Sequence, residues 1–266
     1  METQASSGFC QNCGTTLQGK FCHVCGEKIV ESSDFAIITM LKQAFDGITN
    51  IDSKVIKSFK YLVFRPGKLT DNYVKGVRVP FMKPIQLFLV INVLFFFVLP
   101  KADILRIPSG WYFEQPGRYE KLTDLSVTTG KSIKELMQLY DAASLDYSKA
   151  LVIVVIPFTA LLMALLNFRK RFEFGKHIIF AMHYFSFFMV FCICLLFVPF
   201  VDGNPLAIQT SIIGINFVYL FFAVKVFYQD NIKISILKAL VAVIGCMVIA
   251  FLYRQFISDF SFKMIS

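Results

Sequence analysis

Five apolar runs, each near the length needed to cross a hydrocarbon layer, dictate what this chain can become. They cover residues 84–100, 150–168, 178–200, 206–227 and 236–253. A helix needs about 17 to 25 residues to span a core roughly 30 Å thick. No water is available in that layer, so each peptide group must find its hydrogen-bond partner within its own segment, which helix achieves. The first run, bracketed by Pro84 and Pro100, lies at the lower limit of length. An apolar content of 56% and a mean hydropathy of +0.62 exceed what water-soluble chains carry. The expected fold class is therefore an all-α membrane protein of about five transmembrane helices within residues 84–257. A 101–149 loop lies on one side, and 258–266 forms a short tail.

Charge placement orients the bundle. Lys54, Lys57, Lys60, Arg65, Lys68, Lys75, Arg78 and Lys83 precede the first run against the single acid Asp71. Arg169, Lys170, Arg171 and Lys176 follow the second run, and Lys225, Lys233 and Lys238 cluster around the junction of the fourth and fifth. The connection 201–205 holds only Asp202. Short loops rich in Lys and Arg stay cytoplasmic, so the N-terminus is expected inside and the C-terminus outside. The net charge of +9 is largely this topology signal and gives no ground for nucleic-acid binding. The first 35 residues lack the apolar core of a secretory signal, so the first run is expected to act as its own insertion signal.

Ahead of the bundle, Cys10-Gln11-Asn12-Cys13-Gly14 and Cys22-His23-Val24-Cys25-Gly26 form two C-x-x-C-G knuckles separated by eight residues. Each knuckle can place two sulfurs about a tetrahedral ion, and the glycine allows the backbone conformation required after the second sulfur. Residues 1–28 are thus expected to form a minimal ribbon around Zn2+ held by Cys10, Cys13, Cys22 and Cys25. Iron suits the same cage, and paired C-x-x-C motifs also suit dithiol redox chemistry. His23, beside Cys22, is expected to flank the site without ligating. Phe9 and Phe21 are expected to cover the two turns. Reduced thiols fit the cytoplasmic placement, and the 101–149 loop contains no cysteine. Four thiolates would close the coordination sphere, which excludes a hydrolytic metal site with an open position for water.

Residues 29–83 form a linker and basic juxtamembrane helices. Ile51, Val55, Ile56, Phe59, Leu62 and Val63 share one helical arc, opposite Lys54, Lys57 and Lys60. That pattern predicts an interfacial helix, apolar side in the headgroup boundary and lysines on anionic lipid. It ends at Pro66-Gly67. Ile37, Ile38, Leu41, Ala44, Phe45 and Ile48 suit a shorter helix before it. Arg65, Lys68, Lys75 and Arg78 form a cluster that suits phosphate or lipid headgroups, and ordinary topogenesis accounts for the same charges.

With Phe64-Arg65-Pro66-Gly67-Lys68, Tyr73, Gly76, Arg78 and Pro84 added to the four cysteines, residues 8–100 resemble a family of bacterial multi-pass membrane proteins defined as a domain of unknown function. Val77 stands where that family often carries lysine. The resemblance implies the ribbon-plus-bundle architecture and a place in the bacterial inner membrane. It carries no activity.

The runs contain no Asp or Glu, which argues against proton-coupled transport through carboxylates and against an intramembrane aspartyl protease. No H-E-x-x-H, G-x-S-x-G or phosphate-cradling glycine loop is present, so no catalytic residue is assigned. Asn92, His183 and Asn216 are the notable polar residues, expected as links between helices. His177 lies six residues before His183, so the two point to different faces. In the 101–149 loop, Ser132-Ile133-Lys134-Glu135 is a capping box that would start a helix, and Trp111, Tyr112 and Phe113 suit the outer interface. The expected function is a non-enzymatic scaffold or regulator whose ribbon docks a cytoplasmic protein and whose basic helix contacts anionic lipid. A transporter or channel is the first alternative, and a lipid-modifying enzyme using the basic cluster is the second.

Overall fold

The computed structural model describes residues 8–29, 53–98, 105–195, 197 and 205–266. Ile51 and the helix expected over Ile37 to Ile48 lie outside them. Among the described residues, regular structure is helical apart from two single β-bridges in the ribbon. The helices are α1 (Ser53–Phe64), α2 (Lys68–Val74), α3 (Pro84–Val98), α4 (Ser109–Phe113), α5 (Arg118–Thr129), α6 (Ile133–Leu151), α7 (Val155–Leu166), α8 (Phe174–Leu195), α9 (Pro205–Tyr228) and α10 (Ile232–Ile265).

Four stretches are apolar and long enough to cross a membrane: Ile133–Leu166, Phe174–Leu195, Gln209–Tyr228 and Ile232–Ile265. They mark the chain as a membrane protein. The first expected span is described only in part: helix α3 runs for 15 described residues, about 22 Å at 1.5 Å per residue, and residues 99–104 after it lie outside the described ones. It packs along α8, burying Phe88, Ile91 and Phe95 and exposing Val93, Leu94 and Phe97.

Helix α8 sits at the centre, between α3 and α7, with α10 bridging α7 and α9. Every residue from His177 to Phe187 is buried, the mark of a helix apolar around its whole circumference. In lipid, apolar side chains gain little by leaving the solvent, so close packing and interhelical hydrogen bonds must hold such a bundle together. Phe187 stacks on Tyr219 of α9 with ring centroids 3.7 Å apart.

Two expected spans prove longer than their apolar cores. The capping box at Ser132 works as expected, its hydroxyl accepting the Glu135 N–H at 3.2 Å. The helix begun there runs through a 3-10 turn at Val152–Val154 into α7, so the helix expected over 150–168 starts nearly five turns earlier. Likewise α10 reaches Ile265, and the tail expected at 258–266 is its last turns. At 34 residues each, these elements extend about 51 Å, roughly 20 Å more than a hydrocarbon core.

Their projecting ends, with α4 and α5, build a distal cap around Ile107, Tyr112, Phe113, Leu122, Leu136 and Tyr140, with Phe262 of α10 packed against it. Tyr112 and Phe113 are therefore core residues, whereas Trp111 is 71% exposed. They left the expected interface role because the cap needed apolar filling. Polar links seal it: Arg106 pairs with Asp141 at 2.5 Å, and Asp259 accepts the Tyr112 hydroxyl at 2.9 Å and pairs with Arg118 at 3.0 Å.

At the opposite end, the base, the α9–α10 turn carries Asp230, whose side chain is 5% exposed. Lys238 donates to it at 2.5 Å and to the Asn167 side-chain oxygen at 2.7 Å, while Lys170 lies 3.1 Å away. Three helix ends are joined by one carboxylate. Asp230→Asn keeps the shape and removes the charge between two lysines, and is expected to lower stability by about 2 kcal/mol, the scale of a hydrogen bond to a charged group. Thermal unfolding in detergent checks this, and an unchanged melting temperature would refute it.

Candidate metal centre and its membrane-proximal platform

The ribbon is a duplication. Residues 8–17 and 20–29 repeat at an offset of 12, with Cys10, Cys13 and Gly14 matched by Cys22, Cys25 and Gly26. Each copy closes the same way. Gly14 N–H donates to Cys10 C=O and Gly26 N–H to Cys22 C=O, both at 2.8 Å. Single bridges pair Phe9 with Thr16 and Phe21 with Lys28. Both glycines adopt positive φ, 78° and 72°, the conformation the C-x-x-C-G spacing anticipates.

This closure brings the four Sγ atoms within 4.8 Å of one another. Cys10 Sγ lies 3.5 Å from Cys25 Sγ, and Cys13 Sγ 3.5 Å from Cys22 Sγ. Sulfurs about 2.3 Å from a tetrahedral ion would stand about 3.8 Å apart, so the cage fits a metal ion with little adjustment. His23 contributes nothing to the cluster. The thiols are not equivalent: burial pushes Cys10 up to about 11, whereas the Thr15 hydroxyl, 3.4 Å from Cys13 Sγ, brings that thiol down to about 6.

The aromatic residues depart from expectation. Phe9 and Phe21 are 67% and 61% exposed, and Val24 is 63% exposed. At the bridged positions Phe9 and Phe21 leave most of their surface open, an exposed apolar face in place of buried cover.

Glu27 is the site residue that the sequence reading missed. It occupies the place of Thr15 in the first repeat and is 5% exposed. Its backbone oxygen accepts the Cys22 N–H at 2.8 Å, and its carboxylate Oε2 accepts the N–H groups of Arg78 and Val79, both at 2.8 Å. The difference between the two repeats at this position was the available signal.

The expected cationic cluster is spread over several partners. Asp71, 6% exposed in its side chain, pairs with Lys68 at 3.0 Å and with Lys75 at 2.7 Å. Arg65 lies over the Tyr61 ring at 4.8 Å, and Arg78 over Tyr73 at 4.9 Å while donating to the Tyr73 carbonyl. On α1, Leu62 and Ser58 face inward, and Ser58 Oγ accepts the Met82 N–H at 2.8 Å. Thus the apolar arc expected to enter lipid is split: Leu62 serves the bundle, while Ile56 and Phe59 are exposed beside Lys54, Lys57 and Lys60.

Helix α2 seats this platform on the bundle. Gly67, at φ 76°, precedes it so closely against α9 that a Cβ would lie 2.5 Å from the Ala223 carbonyl oxygen. Thr70 Oγ1 and His183 Nδ1 meet at 2.9 Å, both residues buried. His183 thereby joins α8 to α2, and His177 meets the Tyr228 hydroxyl of α9 at 2.7 Å. Asn216 accepts the Tyr184 hydroxyl at 2.8 Å beside a groove of about 370 Å³ between α8, α9 and α10. Asn92 is buried in α3, 7% exposed, but its side-chain oxygen meets no hydrogen-bond partner among the described residues, so the link between helices expected of it is not formed through that oxygen.

A family model described as a protein of unknown function (DUF3667) matches residues 52–96. Over α1 to α3 the chain is similar to that family. The match takes in Gly67, Asp71, Tyr73 and Arg78, the residues that build the platform, and the ribbon lies before it. No curated protein and no solved structure matches the chain.

Proposed function

We propose that this chain is a non-enzymatic regulator or scaffold of the bacterial inner membrane, with its base in the cytoplasm and its distal cap outside. In this reading Zn2+ fills the four-thiolate cage. The ribbon, residues 1–28, presents Phe9, Phe21 and Val24 to a cytoplasmic protein partner. Lys54, Lys57 and Lys60, with Ile56 and Phe59, rest on anionic headgroups, each lysine contributing about 1 kcal/mol near such a surface. Lys68 and Lys75 serve the fold through Asp71, so the headgroup contact falls mainly to α1.

The observation that carries this reading is the sulfur cage. Four cysteine sulfurs within 4.8 Å leave no position for a reacting water, which supports a shaping role for the ion over a catalytic one. The exposed aromatic pair supports docking, since large apolar side chains on so small a unit gain by being covered. The bonds of His183 and Asn216 to neighbouring helices support links within the bundle over a solute path.

Affinity purification of the intact protein against the Cys10→Ser/Cys13→Ser variant tests the proposal. Partners are expected to disappear with the knuckle. An identical partner set for both forms would overturn the docking role.

A further inference from the structure

The geometry points to a metal-operated latch: the ion-bound second knuckle holds the Glu27 carboxylate on the backbone N–H groups of Arg78 and Val79, so that metal occupancy is transmitted to the segment entering α3. The inference rests on the metal reading above and adds what the ion controls.

Three observations carry it. First, Glu27 follows Gly26 directly, and its own carbonyl closes the knuckle onto Cys22 N–H, so its side chain is placed by the fold of the knuckle. Secondly, one carboxylate oxygen accepts two backbone N–H groups at 2.8 Å in a setting where Glu27 is 5% exposed. Charge-assisted bonds of that kind are about twice as strong as neutral ones. Thirdly, the other repeat supplies an internal comparison. Thr15 holds the same backbone bond, to Cys10 N–H at 2.8 Å, without an acidic side chain. The carboxylate is therefore dispensable for closing a knuckle, and the platform contact accounts for its presence at position 27.

Gly8, Phe9, Cys10, Glu27, Lys75 and Gly76 line a cleft of about 260 Å³ between ribbon and platform, and the Glu27 carboxylate bonds across this seam. Among the described ribbon residues only Cys10, Cys22 and Glu27 are buried. A unit with so little core loses its fold when its metal leaves. The carboxylate would then swing away, leaving the amides of residues 78 and 79 to water, five residues ahead of α3.

Hydrogen exchange on the full chain in lipid nanodiscs, with bound zinc measured beside it, tests the latch. Chelation is expected to speed exchange at Arg78 and Val79 by about tenfold or more, with amides of α6 in the distal cap unchanged. Glu27→Thr, which copies the first repeat, should retain zinc yet show the same acceleration. If chelation removes zinc and frees the ribbon amides while residues 78 and 79 stay protected, the latch is wrong and the metal centre stands. Unaltered protection in zinc-loaded Glu27→Thr would overturn it equally. A full chain that holds no metal would remove the metal reading and the latch together.

Discussion

Stripping the metal is expected to unfold residues 8–29 while the helical body keeps its structure. The ribbon spans 22 described residues, and a chain below about 40 residues seldom builds a sufficient core without metal, disulfide or partner. Its buried side chains are two thiols and one carboxylate, with no aliphatic residue among them. Metal binding must therefore supply its folding free energy, on the order of 10 to 16 kcal/mol for structural zinc near neutral pH. The body does not depend on that term, because its buried face runs through α3, α7, α8, α9 and α10. Cys10→Ser/Cys13→Ser should bind no metal and should melt in detergent within a few degrees of the parent. Retention of stoichiometric zinc by that variant would refute the four-sulfur site.

The pH dependence has a definite sign. Without its ion the ribbon is unfolded, and an unfolded cysteine thiol titrates at about 8.5, so at neutral pH the ion must displace protons from the thiols it binds. Affinity should therefore rise by at least about tenfold per unit as pH increases below that value, and fall on acidification. Competition with a chelator of known affinity, repeated across pH, measures the slope.

Gly67→Val is expected to produce the largest loss in the helical body, about 4 kcal/mol. At φ 76°, a non-glycine residue costs about 1 to 3 kcal/mol, and valine tolerates the region least. The steric contribution comes in addition. The Cβ would lie 2.5 Å from the Ala223 oxygen and 2.8 Å from its Cα, and helical backbone cannot step aside as a side-chain end can. Overpacking of this kind costs about 1 to 3 kcal/mol more. Moving α2 off α9 would also break the buried Thr70–His183 contact. Gly110→Ala is the control, since nothing lies within 4 Å of its Cβ position. Thermal unfolding should separate the two clearly, and equal melting temperatures would disprove the packing argument.

Gly67 also illustrates what a sequence can express. Pro66-Gly67 reads as a helix stop from local chemistry alone, and α1 does end there. That the same glycine must touch α9, more than 150 residues later, has no local signature. Asp71 is a similar case. In the sequence it is a lone acid among cations, whereas in the fold it is the buried partner of Lys68 and Lys75 and so reduces the charge available to a headgroup. Asn216 and His183 were legible as polar residues within apolar runs, but their partners Tyr184 and Thr70 were not.

The sequence by itself determined the features whose physics is local. Apolar length required helices, C-x-x-C-G spacing required two metal-ready knuckles, and Ser132 with Glu135 started a helix before the apolar residues began. Tertiary structure alone decided how far those elements run and what they join. Helices α6 and α10 outlast their apolar runs because their ends find partners in a distal cap. Glu27 becomes a fastening because folding carries it to Arg78 and Val79, about 50 residues away. The physical reason is that hydropathy and turn chemistry act over a few residues, whereas buried charges and close backbone contacts acquire meaning only from whatever the fold sets opposite them.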